Sequence, residues 1–254
     1  MKVLTELRYI GTAYHGWQAQ NNAPSIQKAV QNAAEAMLSA PVAVTGCSRT
    51  DAGVHAKQYF CTLESEALAA LPESKLPTAL NSFLPDDVSA VSARRVDDDF
   101  HPRYSAKAKE YEYLIYVGKE RDALLAKRVW MMPGRTPDVE MMKRGAKSLC
   151  GTHDFSSFCA AGGKVTDKVR TVSYCTVTKE NDLIKIKICA DGFLYNMVRI
   201  IAGTLFECGC GRDGMDVSQI LEKKDRAFAG RTAPPDGLYL SRVFYGDIPE
   251  DAEQ

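Results

Sequence analysis

Two hydrophobic rhythms run through this chain, a period of two and a period near 3.6, and they lay out its elements. Residues 3–9 alternate as a strand. Ser25 then stands ahead of Ile26, Ala29, Val30, Ala33 and Met37, the spacing of an amphipathic helix behind a serine cap. Strands are predicted at 42–45, 58–63 and 88–96, with a shorter helix over 76–83 that stops before Pro85. A strand over 110–117 puts Tyr111, Tyr113, Ile115 and Val117 on one face. Asp138 caps a helix running to about residue 150, where Gly151 ends it. Residues 169–178 and 183–190 read as an antiparallel pair around a Lys-Glu-Asn-Asp turn. The segment 194–208 carries Met197, Ile200, Ile201, Thr204, Leu205 and Cys208 at helical spacing, and a short helix at 217–224 precedes a last strand at 240–245. Strands and helices mix without strict alternation, which predicts an α+β fold with a largely antiparallel or mixed sheet. No internal repeat is visible.

At 254 residues the chain is long enough for one large domain or two small ones, and 45% apolar with 25% charged residues is ordinary for a globular protein. No stretch approaches the 18 apolar residues of a membrane span, and the alternating N-terminus lacks the apolar core of a signal peptide, so a cytoplasmic protein is expected. Several of the eight cysteines sit inside apolar strand patterns, which favours free thiols over disulfides. Neither they nor the four histidines show metal-ligand spacing, so no metal is expected. Net charge is zero, but the last eight residues hold four acids, leaving 32 bases against 28 acids in the body. That balance argues against a strongly basic nucleic-acid binder and leaves a local basic patch open.

The most informative segment is 46–56, Gly-Cys-Ser-Arg-Thr-Asp-Ala-Gly-Val-His-Ala. It joins two strand-like runs, with Gly46 and Gly53 expected to allow positive φ. Between them sit Arg49, Asp51 and His55. A tight loop of this kind holds a carboxylate at a fixed height, as catalytic groups require, although Asp and Thr beside Gly also serve plain turns.

Arg-Thr-Asp-Ala-Gly-Val-His at 49–55 resembles the signature loop of the tRNA pseudouridine synthase A (TruA) family. Further segments resemble it in the right order: His-Gly-Trp-Gln at 15–18, Asn-Ser-Phe-Leu-Pro-Asp at 81–86, 100–103, Lys-Glu-Tyr-Glu-Tyr at 109–113, 151–158, 192–203 and 237–240. The likeness spans residues 7–245, with Ser48 standing where the family usually has Gly. It implies the pseudouridine synthase fold: two similar α+β halves sharing a long mixed, mainly antiparallel sheet with a central cleft. The halves are placed at 1–105, carrying the aspartate loop, and 106–246, followed by an acidic tail at 247–254. The implied activity is isomerisation of uridine to pseudouridine at positions 38, 39 and 40 of the tRNA anticodon stem-loop, by a homodimer without a cofactor. By the same resemblance Asp51 is the nucleophile, Arg199 its cationic partner and Tyr111 the active-site tyrosine that stacks on uracil. Leu238 closes the pocket, and Arg49 contacts phosphate or holds the place of the flipped nucleotide.

An arginine amid an apolar helix is costly to bury, which independently suggests that Arg199 meets an anion, the competing reading being a side chain that snorkels to solvent. Tyr111 shares its face with plain core residues, so a core aromatic is its competing reading. An RNA-binding or tRNA-chaperone module using the same cleft is the alternative to an enzyme, and a binding module has no need of a carboxylate facing phosphates. Gly209-x-Gly211-x-x-Gly214 matches the dinucleotide fingerprint but follows a helix, not a strand, and reads as a helix stop. Gly162-Gly163-Lys164 lacks the Ser or Thr of a phosphate loop, since Val165 follows. Asp97, Asp98 and Asp99 read as a solvated turn rather than a cation site.

Overall fold

The elements in chain order are β1 (Lys2–Tyr9), α1 (Ile26–Leu38), β2 (Ala43–Gly46), β3 (His55–Glu64), α2 (Leu76–Asn81), β4 (Val88–Arg95), β5 (Ala108–Tyr116), β6 (Trp130–Met131), α3 (Val139–Ser148), β7 (Gly151–Asp154), β8 (Val169–Glu180), β9 (Leu183–Ala190), α4 (Met197–Gly209), α5 (Val217–Lys223) and β10 (Leu238–Phe244). They come from a computed structural model that describes residues 1–163, 165–211 and 216–248. The chain divides into two compact units, each an antiparallel-dominated sheet with helices, which is the α+β class the pattern predicts.

Unit 1 comprises Met1–Lys107 and Tyr239–Gly246. Its strands lie in the order β4-β1-β3-β10, with β2 also on β3; β1 is antiparallel to both β3 and β4. On β1 the odd positions Val3, Thr5, Leu7 and Tyr9 are buried and Arg8 is exposed, while Leu4 on the opposite face is buried as well. Ser25 caps α1 by accepting from the Lys28 amide at 3.4 Å, and the helix buries Ile26, Val30, Ala33 and Ala34. Fully burying one such aliphatic side chain contributes about 1.5–3 kcal/mol. A boundary at residue 105 would leave the last strand with the C-terminal half. All of that strand after Leu238 falls instead in unit 1, where β10 pairs in parallel with β3 through Tyr239 with His55 and Leu240 with Ala56.

Unit 2 includes Ala108–Leu238. Its sheet runs β6-β5-β9-β8-β7, antiparallel except for the short β5–β6 pair. Asp138 caps α3 by accepting from the Met141 amide at 3.0 Å, and Asp216 caps α5 in a reciprocal box with Gln219. Along α4, Met197, Ile200, Ile201, Ala202 and Leu205 are at most 1% exposed, so the helix is a core element and not a surface one. It ends at Gly209 with Gly211 at φ +77°, the helix stop expected of the glycine cluster. Gly214, Lys164 and residues 249–254 of the acidic tail lie outside the described residues. Among the described residues no helix is long and apolar enough to cross a membrane. Five cysteines (Cys47, Cys61, Cys159, Cys175 and Cys189) are buried thiols, and burial pushes Cys189 up to about 11, so it is a packing residue and not a nucleophile.

Candidate active site

The signature loop leaves β2 at Gly46 and rejoins the sheet at His55. Two tyrosines hold it from below. The Tyr59 hydroxyl donates to the Ser48 carbonyl and accepts from the Ser48 amide, and Tyr9 shares a 2.9 Å hydrogen bond with the Thr50 hydroxyl. A second loop, residues 11–17, grips it from the side. Trp17 N donates to the Thr50 carbonyl at 3.2 Å, Gly53 N to the Tyr14 carbonyl at 3.2 Å, and Gly11 N to His55 Nδ1 at 3.0 Å. Gly53 sits at φ +81°, as expected. Gly46 does not take positive φ; its role is space, because a Cβ there would overlap the Tyr59 hydroxyl and the Trp17 indole, whose rings stack at 4.2 Å. Ser48 occupies ordinary backbone outside the left-handed region, so the loop accommodates a side chain there. Within this frame Arg49 is exposed, Thr50 buried and Asp51 partly exposed.

Unit 2 builds a second constellation. Tyr111 lies on β5, 7% exposed, with Phe193 edge-on at 5.0 Å. Arg199 is half-buried in the first turn of α4 and does not trail into solvent. Its Nε donates to the Ala233 carbonyl and its Nη1 to Asn196 Oδ1, both at 2.8 Å. The Ala233 amide donates back to the Arg199 carbonyl at 3.1 Å, and the Tyr113 hydroxyl donates to the Pro234 carbonyl at 2.7 Å. Burial pushes the Tyr113 hydroxyl up, against the pull of the Arg199 charge, so it is a neutral donor. Residues 233–237 are thereby pinned to both α4 and β5, and they deliver Leu238, which is buried, at the start of β10. Arg49 and Asp51 thus share one rigid loop of unit 1, while Tyr111, Arg199 and Leu238 belong to one hydrogen-bonded framework of unit 2.

Sequence reasoning quoted the His-Gly-Trp-Gln segment at 15–18 without giving it work to do; in the structure Gly16 and Trp17 are the clamp on the signature loop. It also missed the other face of β5. Glu110 and Glu112 are only 2% and 4% exposed, and Glu110 accepts from the Tyr174 hydroxyl at 2.6 Å. A cavity of about 610 Å³ in unit 1 begins where the loop rejoins β3, and its lining includes Arg8, Lys57, Arg242, Asp86 and Asp87. Three cations on adjacent strands suit phosphate contact, with the carboxylates limiting the net charge. The three aspartates at 97–99 are exposed, as a solvated turn should be. Among the described residues no cluster of three or more side chains has the makings of a metal site.

The tRNA pseudouridine synthase family model matches residues 7–105 and 146–246. The chain is 46% identical over 244 residues to tRNA pseudouridine synthase A of Thermoanaerobacter sp. (strain X514), covering 96% of this chain and 99% of that protein. It is 43% identical over 240 residues to tRNA pseudouridine synthase A of Acetivibrio thermocellus, covering 94% and 97%. With tRNA pseudouridine synthase A of Bacillus licheniformis the identity is 42% over 248 residues, covering 96% and 99%. Matches of this extent, over segments that include the Arg-Thr-Asp loop and Arg199, place the chain in the tRNA pseudouridine synthase family.

Proposed function

We propose that Asp51 is the nucleophile of a tRNA uridine isomerase whose targets are positions 38, 39 and 40 of the anticodon arm. The isomerase class follows from family membership, and tRNA is the substrate that the relatives' names carry. The reaction breaks the N1–C1′ bond, turns the uracil while it stays bound, and joins C5 to C1′. Nothing is oxidised and no atom is gained, so the chemistry calls for no cofactor. In the simplest route an Asp51 oxygen attacks C1′ as uracil leaves with the N1 electron pair. C5 then displaces the carboxylate and loses its proton to a base, while N1, which left with its electron pair, takes one up, so the two proton transfers cancel. The same carboxylate also suits addition to the base, or proton abstraction from the sugar on the way to a glycal.

Arg199 is the cation that keeps a carboxylate ionised beside a buried base, because its planar fork suits bidentate contact. Tyr111 stacks on the uracil and serves proton removal at C5. Leu238 closes the pocket, and Arg49 contacts phosphate or replaces the flipped base in the stack. Flipping costs a few kcal/mol, which binding along the anticodon arm offsets. The working form is a cytoplasmic homodimer.

The observation that supports this reading best is the double clamp on the 46–56 loop, which holds the backbone on both sides of Asp51, at Thr50 and at Gly53. The test is pseudouridine mapping of tRNA incubated with the protein, with Asp51→Asn as control. The variant should bind tRNA and lose many powers of ten in single-turnover rate. A variant that keeps a tenth of the rate refutes the nucleophile. A wild type that binds tRNA and never converts uridine establishes the RNA-binding or tRNA-chaperone module instead.

A further inference from the structure

The turn at 100–105 faces two ways. Inward, Phe100 packs on Tyr245 with ring centroids 5.3 Å apart, and the Tyr245 hydroxyl donates to the Pro102 carbonyl at 2.8 Å. Lys2 Nζ adds a bond to the Phe100 carbonyl at 3.1 Å. The turn itself is tightly wound. His101 Nδ1 accepts from the amides of Arg103 and Tyr104 at 3.1 and 3.3 Å, and Ser105 N donates to the His101 carbonyl at 2.9 Å.

Outward, this rigid turn holds up Tyr104, which is 77% exposed, with the His101 ring 4.3 Å away and the Arg103 guanidinium 5.8 Å over its face. Folding gains almost nothing from an aromatic ring that stays in water, yet the chain fixes this one in place. Beside it lies a cavity of about 280 Å³ whose lining brings together His101, Arg103 and Tyr104 with Trp17, Ser48 and Arg49. Arg49 is the arginine of the signature loop, two residues from Asp51. An exposed aromatic flanked by arginines over a polar cavity is the chemistry of single-stranded RNA capture: every base has a face that stacks, and the guanidinium groups take the phosphates.

We infer that this cavity is a second nucleotide subsite, which takes one unstacked base of the substrate RNA on Tyr104 and its phosphate on Arg49 and Arg103. It rests on the tRNA-isomerase reading above and adds to it. A base leaving a helical stem disturbs its neighbours, and a platform sharing its cavity with Arg49, itself two residues along the chain from Asp51, gives a displaced neighbour somewhere to stack.

The test measures Kd for unmodified tRNA against salt, together with pseudouridine formation and sedimentation, for the full chain and its Tyr104→Ala, Tyr104→Phe and Arg103→Gln variants. Tyr104→Ala should weaken tRNA binding about 10- to 100-fold with an unchanged melting temperature, while Tyr104→Phe stays within about twofold of wild type because the stacking face survives. Arg103→Gln should lower the slope of log Kd against log salt by about 0.7, the signature of one lost contact to single-stranded phosphate. Tyr104→Ala binding tRNA like wild type, from a wild type that converts uridine, overturns the subsite and leaves the isomerase reading standing. A Tyr104→Ala change in oligomeric state at unchanged tRNA affinity also overturns it, since the ring then serves a second copy of the chain. A wild type that makes no pseudouridine removes the isomerase reading and the subsite with it.

Discussion

Gly16 offers the sharpest test of the idea that the 11–17 loop clamps the signature loop. It sits at φ +88°, and a Cβ there would overlap the Thr50 carbonyl oxygen, with the Asp51 carbonyl carbon next at 3.1 Å. Both are backbone atoms of the loop that carries Asp51, so no side-chain rotation relieves the clash. Gly16→Ala therefore meets two penalties: roughly 1–2 kcal/mol for an L-residue held at positive φ, and about 1–3 kcal/mol for overpacking. Gly134 supplies the control. It has φ +71° and nothing within 4 Å of its would-be Cβ, so Gly134→Ala meets the first penalty alone. The difference between the variants, about 1–3 kcal/mol, isolates the collision. Hydrogen exchange reads it locally, because the Trp17 and Gly53 amides bond across the two loops, to the carbonyls of Thr50 and Tyr14. In Gly16→Ala those two amides should exchange about 10- to 100-fold faster than in Gly134→Ala. Single-turnover pseudouridine formation should fall with them, since a displacement of an ångström can cost about a hundredfold. If Gly16→Ala matches Gly134→Ala in both exchange and turnover, the clamp does not position Asp51 and that account fails.

Three further outcomes follow from the same geometry. Thr5, on the core side of β1, has a buried hydroxyl with no hydrogen-bond partner among the described residues, so Thr5→Val should raise stability by about 1 kcal/mol in urea unfolding; a loss of stability would show that the hydroxyl is satisfied. Arg199→Lys keeps the charge and loses the two-pronged hold on Ala233 and Asn196, whereas Arg199→Met loses both; if charge is the essential part, Lys retains most of the single-turnover rate, and equal losses reduce Arg199 to a scaffold. The Asp154 carboxyl is held below its ordinary value, chiefly by the Ser156 hydroxyl and with help from the Ser156 amide and Lys224 against the opposing effect of burial. A depressed folded value means stability that is present above the unfolded pKa of about 3.9 and lost as pH falls through the folded one. Asp154→Asn should therefore be less stable than wild type at pH 7, and the gap should close in acid; a constant gap would show that the carboxyl's charge is not what stabilises.

Much of this architecture was legible because its signals are local. Ser25 and Asp138 announce their helices, and each caps as its chemistry dictates, an oxygen accepting from an amide three residues on. What escaped was decided by partners far along the chain. β7 is four residues long and opens with Gly151 at φ +100°, so it reads as the end of a helix; only its pairing with β8 makes it a strand. The Lys-Glu-Tyr-Glu-Tyr strand looks half-exposed, yet Glu110 is buried because Tyr174 on β8, two strands away, supplies a donor. No period in the sequence encodes that β10 returns to pair with β3. Gly46 shows the limit at a single residue: glycine in a loop suggests unusual φ, whereas here it is the absence of a Cβ beside Trp17 and Tyr59 that matters. The site residues themselves were readable only through the family likeness, since a loop aspartate and a helical arginine are weak signals alone.

The way the loop is held also constrains how activity depends on pH. Its lower supports are the hydroxyls of Tyr9 and Tyr59, on the neighbouring strands β1 and β3, with the two rings 5.5 Å apart. Burial pushes the Tyr59 hydroxyl far above its ordinary value, with the nearby Cys47 thiol adding to the effect. The Ser48 carbonyl is therefore held by a neutral donor that keeps its proton throughout the working range. The grips of Trp17 and Gly53 on the neighbouring loop are backbone bonds and have nothing to titrate. The third side grip is the Gly11 amide donating to His55 Nδ1, on an imidazole fully buried against Tyr239 with the rings 4.7 Å apart. A fall in turnover above neutral pH must then come from the reacting groups or the RNA, not from a loosened loop.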